Sequence, residues 1–323
     1  MSFTCFLVGA TMALAAAPAH VQSAAPLRVM GFSGSSNWPI FVAQEKGLFA
    51  RHGVEAGLIA APSSATQLAS LIEGRIEIAM TAMDNVVAYE EGDVFAFLGV
   101  TNGGRLNLMV APTVKSYADL KGRTLAVDAP STGYSLLLMG MLLRAGLAAD
   151  DYALVGVGGS RERLAALRSG RAAGALLNAP QDAVAEAAGF VRLANSAEII
   201  GRYQGSVGAA RRAWAAANAG ALVRYIRAYV AAVDWLYDPA NRAEAMDILQ
   251  RRLADVSPDN AARSYDELLH PSRGSLSRKA AIDPEGVRTV LALRREFARP
   301  ARPLSDPSRY YDPTYYERAL RNE

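Results

Sequence analysis

The sequence predicts an α/β protein with two Rossmann-like lobes on mostly parallel sheets and a C-terminal helical tail. Three observations lead there. Short apolar runs alternate with stretches of helical spacing from Pro26 to about residue 200. A fresh strand follows a capped turn near residue 115, as if a second unit began there, and from about residue 212 onward only helical spacing remains. Strand, helix, strand in repetition means parallel strands covered on both faces.

In chain order, strands are expected at 27–31 (LRVMG), 54–59, 76–80, 95–100 and 106–111, with helices at 39–50, 65–74 and 84–91 between them. In "KSYADLKGRTLAVD" (115–128), Ser116 can cap a one-turn helix that Gly122 ends. Strands at 124–127, 153–157 and 173–177 then alternate with helices at 134–146, 161–170 and 182–188. The return at "LANSAEIIGRYQGSVGAARRAW" makes the first lobe discontinuous, 26–108 with 201–323, around a second lobe at 109–200. Tail helices are expected at 212–237, 240–253, 257–270 and 283–297, packed back on the first lobe.

The chain has 323 residues and a formal net charge of +3, too balanced to imply nucleic acid. Residues 1–25 hold no Lys, Arg, Asp or Glu, and "FLVGATMALAAAPA" reads as the apolar core of a secretory signal peptide. Val21/Ser23 or Ser23/Ala25 fits the small-x-small cleavage rule; the missing positive n-region leaves an uncleaved anchor as the alternative. The sole cysteine, Cys5, lies in that segment, so the mature chain would have no disulfide, thiolate metal site or Cys nucleophile. No later run reaches the ~18 apolar residues of a bilayer span. The best, 134–147, is broken by Arg144.

In an open parallel sheet the ligand crevice lies beyond the carboxyl ends of the strands. Nearly every such end here hands over to small hydroxyl or amide residues: Ser35-Ser36-Asn37-Trp38, Ser63-Ser64, Thr81 to Asn85, Thr101-Asn102, Ser131-Thr132-Gly133-Tyr134, and Asn178 to Gln181. Helix capping explains each junction separately, with Ser64 and Gln67 as a capping box, Asp84 as an N-cap and Pro39 in a first turn. Convergence of free N–H groups on one bound molecule would explain them together. On that reading Ser63, Ser64, Ser131 and Thr132 donate hydrogen bonds, and Asn37, Trp38, Met83, Asp84, Asn102, Gly133, Tyr134, Asn178 and Gln181 line the rest. Trp38 and Tyr134 would be exposed aromatic walls. Arg105 would add a bidentate contact to an acid group or stand as a solvated hinge residue.

Catalytic readings fare poorly. The histidines are His20, His52 and His270, no G-x-S-x-G elbow or Walker loop occurs, and "GVGGS" (156–160) lacks the third glycine of a dinucleotide fingerprint. Metal-ligand spacing is absent. No enzyme activity, cofactor or metal is expected.

"PIFVAQEKGLFARHGVE", "ATQLASLIEGRIEIAMT", "DLKGRTLAV", "LLLRAGLAADDY" and "RLAALRSGRAAGALL" resemble, in order, segments of the periplasmic solute-binding proteins of nitrate/sulfonate/taurine-type ABC importers. The likeness spans about residues 27–235. It implies a type II periplasmic binding fold, with two lobes joined by two crossing strands and a small solute enclosed between them. It also implies a periplasmic monomer serving a membrane permease and ATPase. "LLNAPQD" departs from the family, members of which often carry an acidic or aromatic residue before the proline. A eukaryotic branch of similar fold makes a thiamine pyrimidine precursor with cysteine-rich and histidine chemistry, and this chain lacks those cysteines.

Helix N-termini facing one cleft favour an anion, and the apolar walls favour an organic one, a sulfonate or carboxylate. Asp84, if it faces the solute, asks instead for an amine or ring N–H, as in a thiamine-precursor pyrimidine. A ligand-presenting sensory protein is the further alternative.

Overall fold

A computed structural model describes residues 26–103, 106–254, 256–271 and 274–321. The expected signal segment and Arg105 lie outside them.

The first sheet has the order β2-β1-β3-β10-β4. β1 (Leu27–Gly31) pairs in parallel with β2 (Ala56–Ala60) and β3 (Ile78–Ala82), Val29 standing opposite both Leu58 and Ile78. The expected single helix at 39–50 is two, α1 (Trp38–Glu45) and α2 (Leu48–Arg51). Gly47 breaks it with φ of 65°, a left-handed conformation that favours glycine. α3 (Ser64–Ile72) and α4 (Met83–Ala88) follow β2 and β3, and β4 (Val94–Gly99) is buried throughout.

The second sheet has the order β7-β6-β8-β5-β9. It holds β5 (Asn107–Val110), β6 (Thr124–Val127), β7 (Ala153–Gly156), β8 (Gly174–Leu177) and β9 (Val191–Asn195). Its helices are α5 (Gly133–Arg144), α6 (Ser160–Arg168), α7 (Gln181–Ala187) and α8 (Ser196–Ile200). The turn after β5 is built as expected: Asp119 Oδ2 accepts from the Ser116 amide at 2.9 Å, and Gly122 takes φ of 70°.

β10 (Ser206–Arg211) inserts antiparallel between β3 and β4, and β5 lies antiparallel between β8 and β9. The chain thus passes from β4 to β5 and returns from β9 to β10, crossing between the sheets twice. The crossing segments are laced together. Gly103 N donates to Tyr203 O at 2.6 Å and Gly205 N to Thr101 O at 2.9 Å. Buried Gln204 donates to Thr101 O and Ser206 O at 3.0 and 3.1 Å and accepts from Asp283 N at 2.8 Å.

The tail comprises α9 (Arg212–Ala217), α10 (Ala219–Tyr237), α11 (Arg242–Arg252), α12 (Pro258–Leu268), α13 (Pro284–Phe297) and α14 (Thr314–Leu320). α10 packs against α1, α2 and α14, and α11 against α1. α13 and α12 reach further: α13 lies against α4 and α5, and α12 touches α7. The tail therefore covers the first sheet and also contacts the helices of the second. Among the described residues no helix is long and apolar enough to cross a membrane.

Candidate functional site: a cavity between two sheets

The two sheets meet around a cavity of about 60 Å³. The first sheet and the crossings contribute Ser35, Ser36, Thr101, Asn102, Gly103, Gly205 and Ser206; the second sheet contributes Tyr134, Asn178 and Ala179; and the tail adds Glu267, Leu268 and Ser275. The walls touch directly, since buried Ser35 Oγ donates to Ala179 O at 3.2 Å. Helix N-terminal segments approach from three directions. Ser35 and Ser36 form the 3₁₀ turn ahead of α1, Tyr134 is in the first turn of α5, and Asn178-Ala179 precede α7.

Of the residues expected from sequence, Asn102, Tyr134 and Asn178 line this cavity. Burial pushes the Tyr134 hydroxyl above its ordinary range, opposed by a hydrogen bond with Ser206. The Arg163 guanidinium lies 5.8 Å from the centre of the Tyr134 ring.

Other expectations are corrected. Trp38 is no exposed wall: it is fully buried, its Nε1 donates to Ala245 O at 3.0 Å, and its ring meets Tyr265 edge-on at 6.0 Å. The 3₁₀ turn at Ser35–Asn37 precedes α1, and Trp38 is received by tail helices. Met83 is likewise core, packed with apolar residues between the sheets. Asn37 is buried, donating to Phe32 O at 2.6 Å, and borders a separate hollow of about 220 Å³ beside Phe41 and Arg252. That hollow is larger, but the second sheet contributes nothing to its lining.

Three of the expected hydroxyl donors are engaged locally and lie outside the cavity lining. Ser63, not Ser64, is the N-cap of α3 and accepts from Thr66 N at 3.1 Å. Ser64 Oγ accepts from Asn85 at 3.3 Å, and Gln67, outside any capping box, ties Met30 O to Met80 O. Thr132 Oγ1 donates to Asp128 Oδ1 at 2.5 Å. Ser131 is exposed, its carbonyl accepting from Arg294 at 3.3 Å, and Gln181 begins α7 outside the cavity lining.

Asp84 is not an N-cap either, as Ala82 holds that position. It is almost fully buried and paired with Arg294 of α13 through two short bonds, 2.7 and 2.6 Å. Burial raises its carboxyl and outweighs the opposing pull of Arg294. Gly133 packs against it: a Cβ there would fall 2.4 Å from Asp84 Cβ, so only glycine lets α5 approach α4 so closely.

Sequence reasoning missed several lining residues. Ser35, Ser36 and Thr101 stand in loops already singled out, so the loops were legible and the exact positions were not. Glu267, Leu268 and Ser275 come from the tail, where no local pattern marks them. Arg163, which stands behind the lining, had a signal: it shares the inward helical face with Leu164 and Leu167.

The sequence pattern of the NMT1-like family matches residues 26–250. The chain belongs to the NMT1-like family. No curated protein is significantly similar in sequence. Among solved structures, this NMT1-like chain is similar to a protein of Bordetella bronchiseptica RB50, with 22% identity, a TM-score of 0.77, and 93% of this chain and 98% of the other covered. The periplasmic nitrate-binding protein of Synechocystis PCC 6803 matches at 13% identity and TM-score 0.76, over 92% and 88%. The periplasmic aliphatic sulphonate binding protein of Escherichia coli matches at 20% identity and TM-score 0.67, over 85% and 88%. These likenesses show that the NMT1-like chain has the two-lobed periplasmic binding fold.

Proposed function

We propose that this NMT1-like protein is an extracytoplasmic solute-binding protein that encloses a small organic anion, a sulfonate or carboxylate, and delivers it to the membrane permease and ATPase of an ABC importer. The observation that carries the reading is the cavity walled by both sheets, with Ser35 of one bonded to Ala179 of the other. A site made of two bodies on paired crossings closes around its ligand and releases it by opening. The lobes would be 26–108 with 201–323, and 109–200. Nitrate and sulphonate binding by the neighbours named above supports the anion class and a periplasmic location, as does the apolar 1–25 segment.

The small size of the cavity favours a small solute. Hydroxyls, amides and helix N-termini supply donors for an acid group. Binding without chemistry fits a lining of hydroxyls, amides, a phenol and one carboxylate.

The test is a thermal-shift screen, followed by calorimetry, against short sulfonates, carboxylates, nitrate, amines and pyrimidines. A ligand at 100 times its Kd adds about 2.7 kcal/mol of stability. Short organic anions should be the hits. Hits confined to neutral or cationic solutes would overturn the anion reading.

A further inference from the structure

Arg163 is the least compensated buried charge beside the cavity. It is only 3% exposed, on the inward face of α6. Its Nη1 stands 3.8 Å from Asp128 Oδ1, beyond hydrogen-bond reach, and that oxygen already accepts from Thr132. The other carboxylate acting on it, Glu162, is exposed. Its Nε is buried with no hydrogen-bond partner. A buried guanidinium held this loosely is unfavourable unless further negative charge is supplied.

Two cavity-lining residues tie α6 to the site. One is Tyr134, whose ring lies under the Arg163 guanidinium. The other is Asn178, whose main-chain N–H donates to Ser160 Oγ at the start of α6 at 3.4 Å. We propose that Arg163, one layer behind Tyr134, sets the charge selectivity of the site, its loosely paired positive charge favouring an anionic solute over a neutral one of the same shape. This rests on the solute-binding reading above. The charge acts through the wall with no contact: with little salt screening across a few Å of protein, a unit charge changes affinity on the order of tenfold or more. The π face of Tyr134 offsets part of the guanidinium's burial and leaves the net charge in place.

The experiment is calorimetry with two isosteric probes, methanesulfonate and methanesulfonamide, on the wild type, Arg163→Gln and Asp128→Asn. The wild type should prefer methanesulfonate by about tenfold or more. Arg163→Gln should bring the ratio near one while leaving methanesulfonamide binding unchanged, and Asp128→Asn, which removes a competing negative charge, should widen it. A ratio preserved in Arg163→Gln overturns the proposal. Should Arg163→Gln fail to fold, Asp128→Asn decides: Asn keeps an acceptor for Thr132, and an unchanged or narrowed ratio overturns it. Equal binding of both probes by the wild type sinks the role of Arg163 and leaves solute binding standing. Binding of neither probe by the folded wild type sinks the small-anion reading beneath it.

Discussion

Arg294 grips Asp84 from 210 positions away in sequence, Nε on Oδ1 at 2.7 Å and Nη2 on Oδ2 at 2.6 Å, with the pair nearly sealed from solvent. The same guanidinium holds the carbonyl of Ser131. One tail residue thus joins the start of α4 to the turn before α5. Removing it strands a buried carboxylate, so Arg294→Leu should destabilise by about 3–5 kcal/mol in urea unfolding. Burial raises the Asp84 carboxyl, and the variant keeps burial without the opposing cation. Its penalty should fall below about pH 4 to what the lost bond to Ser131 O costs, and grow from there as pH rises through the elevated folded value. A loss independent of pH would show that Asp84 is not its source.

Trp38→Phe should cost about 1–2 kcal/mol, from the lost bond to Ala245 O and a small void, and leave solute affinity unchanged. Weakened binding at preserved stability would return Trp38 to the cleft wall.

Ser35→Ala removes a bond made between the two walls. Its loss should weaken solute binding several-fold and cost the unliganded protein no more than about 1 kcal/mol. Calorimetry beside a melting curve separates the two effects.

Closure should reduce the radius of gyration in solution scattering when solute binds. At Gly205 a Cβ would sit 2.8 Å from Thr101 Oγ1 and 3.0 Å from its carbonyl. Gly205→Ala should spread the crossings and diminish that contraction. An unchanged radius at saturation in the wild type would show that the lobes do not move.

Glu90 fastens the end of the tail: Ser305 donates to one carboxylate oxygen and Tyr310 to the other, the latter at 2.9 Å. These bonds, Ser305 first, hold its pKa below the ordinary range. A depressed folded pKa contributes stability above the unfolded value of ~4.3 that is lost as pH falls through the folded one. Glu90→Gln should flatten that part of the acid-unfolding profile.

What the sequence revealed follows physical lines. β1 and β6 match expectation residue for residue because Val, Leu and Met in short runs mark buried strands. β10, with "SVGAAR", was expected only as a crossing strand near 201–210, and its place inside the first sheet was not legible: its small residues carry little strand propensity, yet Gly208 lets it press against Phe97 and Leu98 of the edge strand β4. Likewise Tyr134 and Asn178 were legible because strand ends locate a crevice. Trp38 and Asp84 were not, because what covers or pairs with them arrives from the tail, and no local pattern announces it.

The place of β10 also orders the making of the protein. β3 and β4 are not neighbours; the slot between them is filled only by residues 206–211. A growing chain that has finished β1 to β4 therefore carries a three-stranded piece, β2-β1-β3, with an open edge and a lone β4 without its neighbour while the whole second sheet is still being synthesised. Its N-terminal part waits, unsealed, for a strand more than a hundred residues downstream of β4. Contacts that distant close slowly, and such a chain stays loose and threadable until almost two-thirds of it has been made.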